Sequence, residues 1–99
     1  MRRTKVTDAV RAEAPADAVL IQGWVRTRRS SKGVHFLELN DGSGPETLQV
    51  VVDADLPSAG QVEQSATGAA VSVEGALVES PGRGQTWELQ AREVCLLGA

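Results

Sequence analysis

Tyrosine is absent from this chain, and cysteine and histidine occur once each, as Cys95 and His35. One cysteine excludes an internal disulfide, which fits a reducing cytoplasm. Without a second histidine or a cysteine pair the ligand spacing of a zinc site is missing, so no metal is expected. Cys95 lies in the apolar stretch Val-Cys-Leu-Leu and reads as a small buried hydrophobe. No run approaches the ~20 apolar residues of a membrane-spanning helix. The start, MRRTKVTDAV, lacks the apolar core of a signal peptide. These absences predict no membrane partner and a cytoplasmic location.

Positive charge is also scarce. Ten Lys and Arg stand against 13 Asp and Glu, for a net charge of −3. That argues against a sequence-blind nucleic-acid coat, which needs a basic field overall. The chain has 99 residues, enough for one small domain spanning 1–99. A domain of this size leaves little room for both a substrate pocket and a catalytic constellation. The glycine pattern Pro-Gly-Arg-Gly-Gln from Pro81 lacks the lysine and following helix of a P-loop. It reads as a hairpin turn, with Arg83 available to a phosphate. Ser30, His35 and Asp41 make a nucleophilic triad on paper, but nothing in their spacing supports one.

What is present is a strand pattern. Residues 1–17 are polar and alanine-rich, an extension or a short helix capped at Thr7 and stopped by Pro15. Residues 18–29 form a first strand. Val19, Ile21 and Val25 share one parity, and Gln22, Trp24, Arg26 and Arg28 share the other. Gly23 marks a bend such as a barrel corner needs. Residues 34–40 form a second strand with Leu37 and Leu39 on one face and Phe36 and Glu38 on the other. His35 shares the leucines' parity. Residues 47–53 form a third, with Leu48, Val50 and Val52 inward and Gln49 outward. The Asn-Asp-Gly-Ser-Gly-Pro-Glu segment between them is turn chemistry. A short helix fits residues 54–68. Residues 69–79 and 85–97 form the last two strands, with a bulge near Arg92 where the hydrophobic parity shifts. Five strands with a helix between strands 3 and 4 predict an all-β, five-stranded Greek-key OB-fold barrel. A five-stranded open sheet or an SH3-like barrel is the alternative.

Four cations, Arg26, Arg28, Arg29 and Lys32, fall within seven residues that contain no acid. Alternation places Arg26 and Arg28 on the outward face and Arg29 at the strand's end. Phe36 and Gln49 emerge on the face opposite the leucines. An exposed aromatic can stack on an unstacked base, a planar amide can pair with a base edge, and cations can neutralise phosphates. The plainer readings are a core phenylalanine, a solvated glutamine and a solvated strand end.

Taken in order, GWVRTRRSSKGVHFLELNDGS, LQVVVD and TGAAVSVEGALVESPGRGQTWELQAREV resemble the N-terminal anticodon-binding domain of asparaginyl-tRNA synthetase. Aspartyl- and lysyl-tRNA synthetases have a more distant version. The resemblance covers roughly residues 5–97. It implies an OB-fold that grips a tRNA anticodon loop. By position in the motif, Phe36 matches the aromatic that stacks on an anticodon base. Gln49 matches the glutamine that reads the central uridine. Arg29 matches the arginine at the end of strand one, with Arg26, Arg28 and Lys32 in or beside the same run. Ser30 departs from the family, which commonly has an acidic residue there.

The chain ends at Ala99 without the class II catalytic motifs, so the expectation is a non-catalytic binding module with no cofactor. Its expected partner is tRNA or another single-stranded nucleic acid. Met1 favours a free-standing protein over an excised synthetase fragment. The alternative function is a protein-interaction or homodimerisation module retained from a synthetase ancestor.

Overall fold

A computed structural model describes residues 3–64, 67–80 and 87–98. A short helix, α1 (Val6–Val10), precedes strands β1 (Ala16–Ser31), β2 (Val34–Asn40) and β3 (Leu48–Asp53). Helix α2 (Ala59–Gln64) then leads to β4 (Ala70–Glu79) and β5 (Trp87–Gly98). The strands close into a barrel in the order β1-β2-β3-β5-β4. β3 and β5 run parallel, and the other neighbours are antiparallel. This is the all-β, five-stranded barrel expected from the alternation, with its helix between β3 and β4. Among the described residues closure leaves no long unpaired edge.

β1 serves both sides of the barrel. Its first part pairs with β4 and its last part with β2, and Trp24 belongs to both ladders. Such a strand must bend, and Gly23 is where β2 crowds it. A Cβ at Gly23 would lie 2.6 Å from the carbonyl oxygen of Asn40. β1 runs two residues further at each end than alternation predicts, because Ala16 pairs with Leu77 of β4 and Ser30 and Ser31 pair with His35 and Val34 of β2.

The inward faces hold Ile21 and Val25 from β1, Leu37 and Leu39 from β2, and Leu48, Val50 and Val52 from β3, all fully buried. Val71, Val73 and Leu89 complete the wall. Valine dominates because a β-branched side chain packs well on a pleated, half-buried surface. Val62 of α2 joins this core and is also fully buried. β5 pairs with β3 only over Glu88–Gln90, so its later N–H groups need other partners. The N–H of Val94 donates to Ser58 Oγ at 2.9 Å, and that of Leu96 to Gln61 Oε1 at 3.1 Å.

The bulge expected near Arg92 is present: pairing passes from Glu74–Glu93 to Gly75–Ala91 and skips Arg92. The expected turn's Pro81-Gly-Arg-Gly, with Arg83, falls on residues 81–86, outside the described residues. Across that gap Glu79 pairs with Trp87.

Three expectations fail here. Cys95 is exposed rather than buried. The inward positions of this stretch belong to Val94 and Leu96, and period-two alternation turns Cys95 outward opposite Ser72. Thr7 does not cap α1. The N-cap residue is Lys5, with no side-chain cap of its own. Instead the N–H of Val6 donates to Asp41 Oδ2 at 2.9 Å, and that of Thr7 to Ser43 Oγ at 3.2 Å. The turn between β2 and β3 therefore supplies the cap from 35 residues away in sequence. Pro15 does not stop the helix either, which ends at Val10.

Candidate nucleic-acid interface

The decisive local event is a slip between β1 and β2. Val25 pairs with Leu39, and the next pair is Thr27 with Glu38. Arg26 is the extra residue, exposed at a bulge. One inserted residue exchanges the faces of everything after it. Arg29 thereby pairs with Phe36 on the outer face, and Arg28 pairs with Leu37 on the inner one. By its pairing Arg28 thus falls on the Leu37 side rather than on the face expected for it beside Arg26, while its side chain stays exposed. Its Nη1 donates to the carbonyl oxygen of Val62 at 2.9 Å. That carbonyl lies in the last turn of α2, where helix carbonyls lack intrahelical donors and favour a cation.

Two rows cross the outer face. One runs Arg29, Phe36, Val51, Gln90, and the other Thr27, Glu38, Gln49, Glu88. Phe36 and Gln49 share this face, as alternation predicts. Phe36 is half-buried rather than open, since the Arg29 Cζ lies 4.7 Å from its ring centroid. A guanidinium over an aromatic face is attracted by the ring quadrupole, by about 0.5–1 kcal/mol at an exposed site. Lys32 sits at the tip of the two-residue β1–β2 turn with φ 23°, followed by Gly33 at φ 78°. Both positive φ values suit a tight hairpin that matches the strand twist.

Gln49 is flanked by Glu38 on β2 and Glu88 on β5. Glu88 is only 6% exposed. Among the described residues none holds the Gln49 amide by a hydrogen bond. Sequence reasoning missed Glu88. Its outward parity beside Leu89 was readable, but its place next to Gln49 depends on a parallel pairing between distant segments. The amide offers a donor and an acceptor, and the carboxylates offer acceptors to exocyclic amino groups.

Ser30 and His35 do come together, with Ser30 Oγ 2.7 Å from His35 Nδ1. Asp41 does not join them, because it caps α1. Burial alone would raise the Asp41 pKa. Hydrogen bonds from the Ser43 hydroxyl and from the N–H groups of Val6 and Ser43, with the charge of Arg3, outweigh burial and hold it below its ordinary value. Among the described residues no cluster of three or more His, Cys, Asp or Glu can hold a metal ion.

The model of a family described as "OB-fold nucleic acid binding domain" matches residues 19–97. The chain belongs to this family. The OB-fold domain is 52% identical over 98 residues to asparagine–tRNA ligase of Oleidesulfovibrio alaskensis, covering 99% of this chain and 21% of that protein. It is 44% identical over 98 residues to the same ligase of Parabacteroides distasonis, again 21% of the relative. The chain thus spans about a fifth of the curated relatives it matches. Asparaginyl-tRNA synthetase from Pyrococcus horikoshii, complexed with asparaginyl-adenylate, superposes with a TM-score of 0.85 at 20% identity. That match covers 100% of this chain and 23% of the other, and it shows the fold alone. The Stn1–Ten1 complex of S. pombe gives a TM-score of 0.70 at 26% identity over 85% of this chain and 60% of the other. The domain therefore resembles the barrel portion of asparagine–tRNA ligases.

Proposed function

We propose that the outer face of β1, β2, β3 and β5 binds single-stranded RNA, with a tRNA anticodon loop as its preferred ligand. Phe36 stacks on one base, and Arg29 continues that stack or contacts the adjoining phosphate. Gln49 pairs with a base edge, and Glu88 accepts from an exocyclic amine beside it. Arg26 and Lys32 neutralise phosphates along the rim. Arg28 acts from behind, by holding the end of α2. The observation that carries this reading is the Arg29–Phe36 stack lying one row from Gln49 on one outer face. The identity to asparagine–tRNA ligases supports the choice of anticodon loop.

Residues 1–99 act in this reading as one binding module. The ligase activity named in the relatives belongs to those longer proteins, and binding alone is proposed here. The proposed setting is the cytoplasm, where tRNA is found. Among the described residues no helix is long and apolar enough to cross a membrane.

Titration with an anticodon stem-loop tests the proposal. Phe36→Ala should weaken binding by about 1–3 kcal/mol, the usual worth of one base–aromatic stack. Unchanged affinity would remove Phe36 from the site.

A further inference from the structure

Trp24 is 41% exposed, in a chain that has only three aromatic residues. Hydrophobic burial alone would have turned so large a ring inward. Trp24 pairs with Asn40 on β2, and alternation from Asn40 through Glu38 to Phe36 keeps all three on one outer face. Four residues at ~3.4 Å per residue separate the Trp24 row from the Phe36 row, roughly 14 Å. Between them lies Arg26, bulged and exposed. The ring also has a fixed neighbour. A Cβ placed on Gly42 would stand 3.4 Å from Trp24 Cη2, so the β2–β3 turn lies against the ring's edge. That turn is itself rigidified. Asn40 Nδ2 donates to the carbonyls of Gly44 and Glu46, both at 2.9 Å, and Asn40 Oδ1 accepts from the N–H of Gly42 at 2.8 Å. The nearby acid, Asp41, has its carboxylate directed onto α1 and Ser43.

We infer that Trp24 is a second stacking platform, which holds a nucleotide flanking those bound at Phe36 and Gln49. Arg26 neutralises the phosphate between the two platforms. This rests on the RNA-binding reading above and lengthens its site along β1. A track of this length falls within the ~4–16 nucleotides that one OB-fold engages. Positive charge beside an exposed aromatic on the Phe36 face favours a polyanion with stackable bases over a protein partner. A protein partner would instead use Trp24 with the exposed Leu97, which flanks Ala70 from the other side.

Intrinsic fluorescence separates these cases. The sequence has two tryptophans, and Trp87 is buried with its Nε1 donating to the Ala12 carbonyl at 2.7 Å. A change on RNA addition therefore reports Trp24. The probes are two single-stranded RNAs of the same central sequence, about three and about ten nucleotides long. The longer RNA should quench the emission of the wild-type chain, and Trp24→Phe should abolish the quench. Trp24→Ala should weaken the longer RNA roughly tenfold and leave the shorter one unchanged. Phe36→Ala should weaken both. If Phe36→Ala weakens both RNAs while Trp24 emission and Trp24→Ala affinity stay at wild-type values, the second platform is wrong and the RNA site stands. If the wild-type chain binds neither RNA, the site and the platform fall together. A wild-type oligomer in light scattering that Trp24→Ala dissociates, with RNA affinity unchanged, would assign this surface to protein and overturn the inference.

Discussion

The guanidinium of Arg29 lies over the ring of Phe36, with Cζ 4.7 Å from the ring centroid. The two residues sit opposite each other on antiparallel strands, and the bulge at Arg26 is what makes them partners. A base arriving at Phe36 must displace that guanidinium or stack alongside it. In the proposed site the two side chains would therefore act as one unit.

Residues in contact do not contribute additively. Arg29→Ala and Phe36→Ala should each weaken anticodon stem-loop binding. The double variant should lose less than the sum, with a coupling of at least about 0.5 kcal/mol. A calorimetric double-mutant cycle measures this. Strict additivity would mean that the two side chains meet different parts of the RNA.

Gln49 should govern discrimination more than affinity for RNA in general. Gln49→Leu keeps much of the side-chain volume and removes the amide. Its expected effect is a loss of about 1–3 kcal/mol for the preferred base at one position, with little change for other bases there. A panel of stem-loops varied at each loop position checks this. Equal weakening across the panel would make Gln49 a structural residue.

The basic run should divide by face. Arg28→Ala removes the hydrogen bond to the Val62 carbonyl. It should lower stability by about 0.5–1.5 kcal/mol and leave the salt dependence of binding intact. Arg26→Ala and Lys32→Ala should each reduce the slope of log K against log salt by about one, with Tm unchanged. Thermal melts and binding at several salt concentrations give both readouts.

Asp41 predicts an acid limb of stability. Its folded pKa lies below its ordinary value of 3.8, so the unfolded chain binds the proton more readily. The stabilisation is fully present above that ordinary value and is lost as pH falls through the folded pKa. Asp41→Asn should flatten the fall of Tm between about pH 5 and about pH 2. The same variant should loosen α1, whose first N–H groups depend on this turn. An unaltered acid limb would place the pH dependence in other carboxylates.

Sequence and structure agree where hydrophobic residues mark the period. Leu37 and Leu39, then Leu48, Val50 and Val52, set the inward faces of β2 and β3. Those faces put Phe36 and Gln49 outward together. The bulge at Arg92 was legible for the same reason, since Leu89 and Val94 lie on opposite parities yet both face the core. The bulge at Arg26 was not. Thr27 through Lys32 contains no apolar residue, so a one-residue slip left no trace in the pattern.

Local alternation by itself determined the all-β class, the core walls and the shared face of Phe36 and Gln49, while strand pairing decided the closed barrel. A strand's period is a property of its own backbone, and apolar side chains report it. Tertiary pairing alone decided which arginine meets Phe36, that Glu88 adjoins Gln49, that Asp41 caps α1 and that Cys95 faces solvent. The first depends on the register of the β1–β2 hairpin, and the next two on which distant segment lies alongside. For Cys95, the pairing with Ser72 selects which residue of an apolar run turns outward.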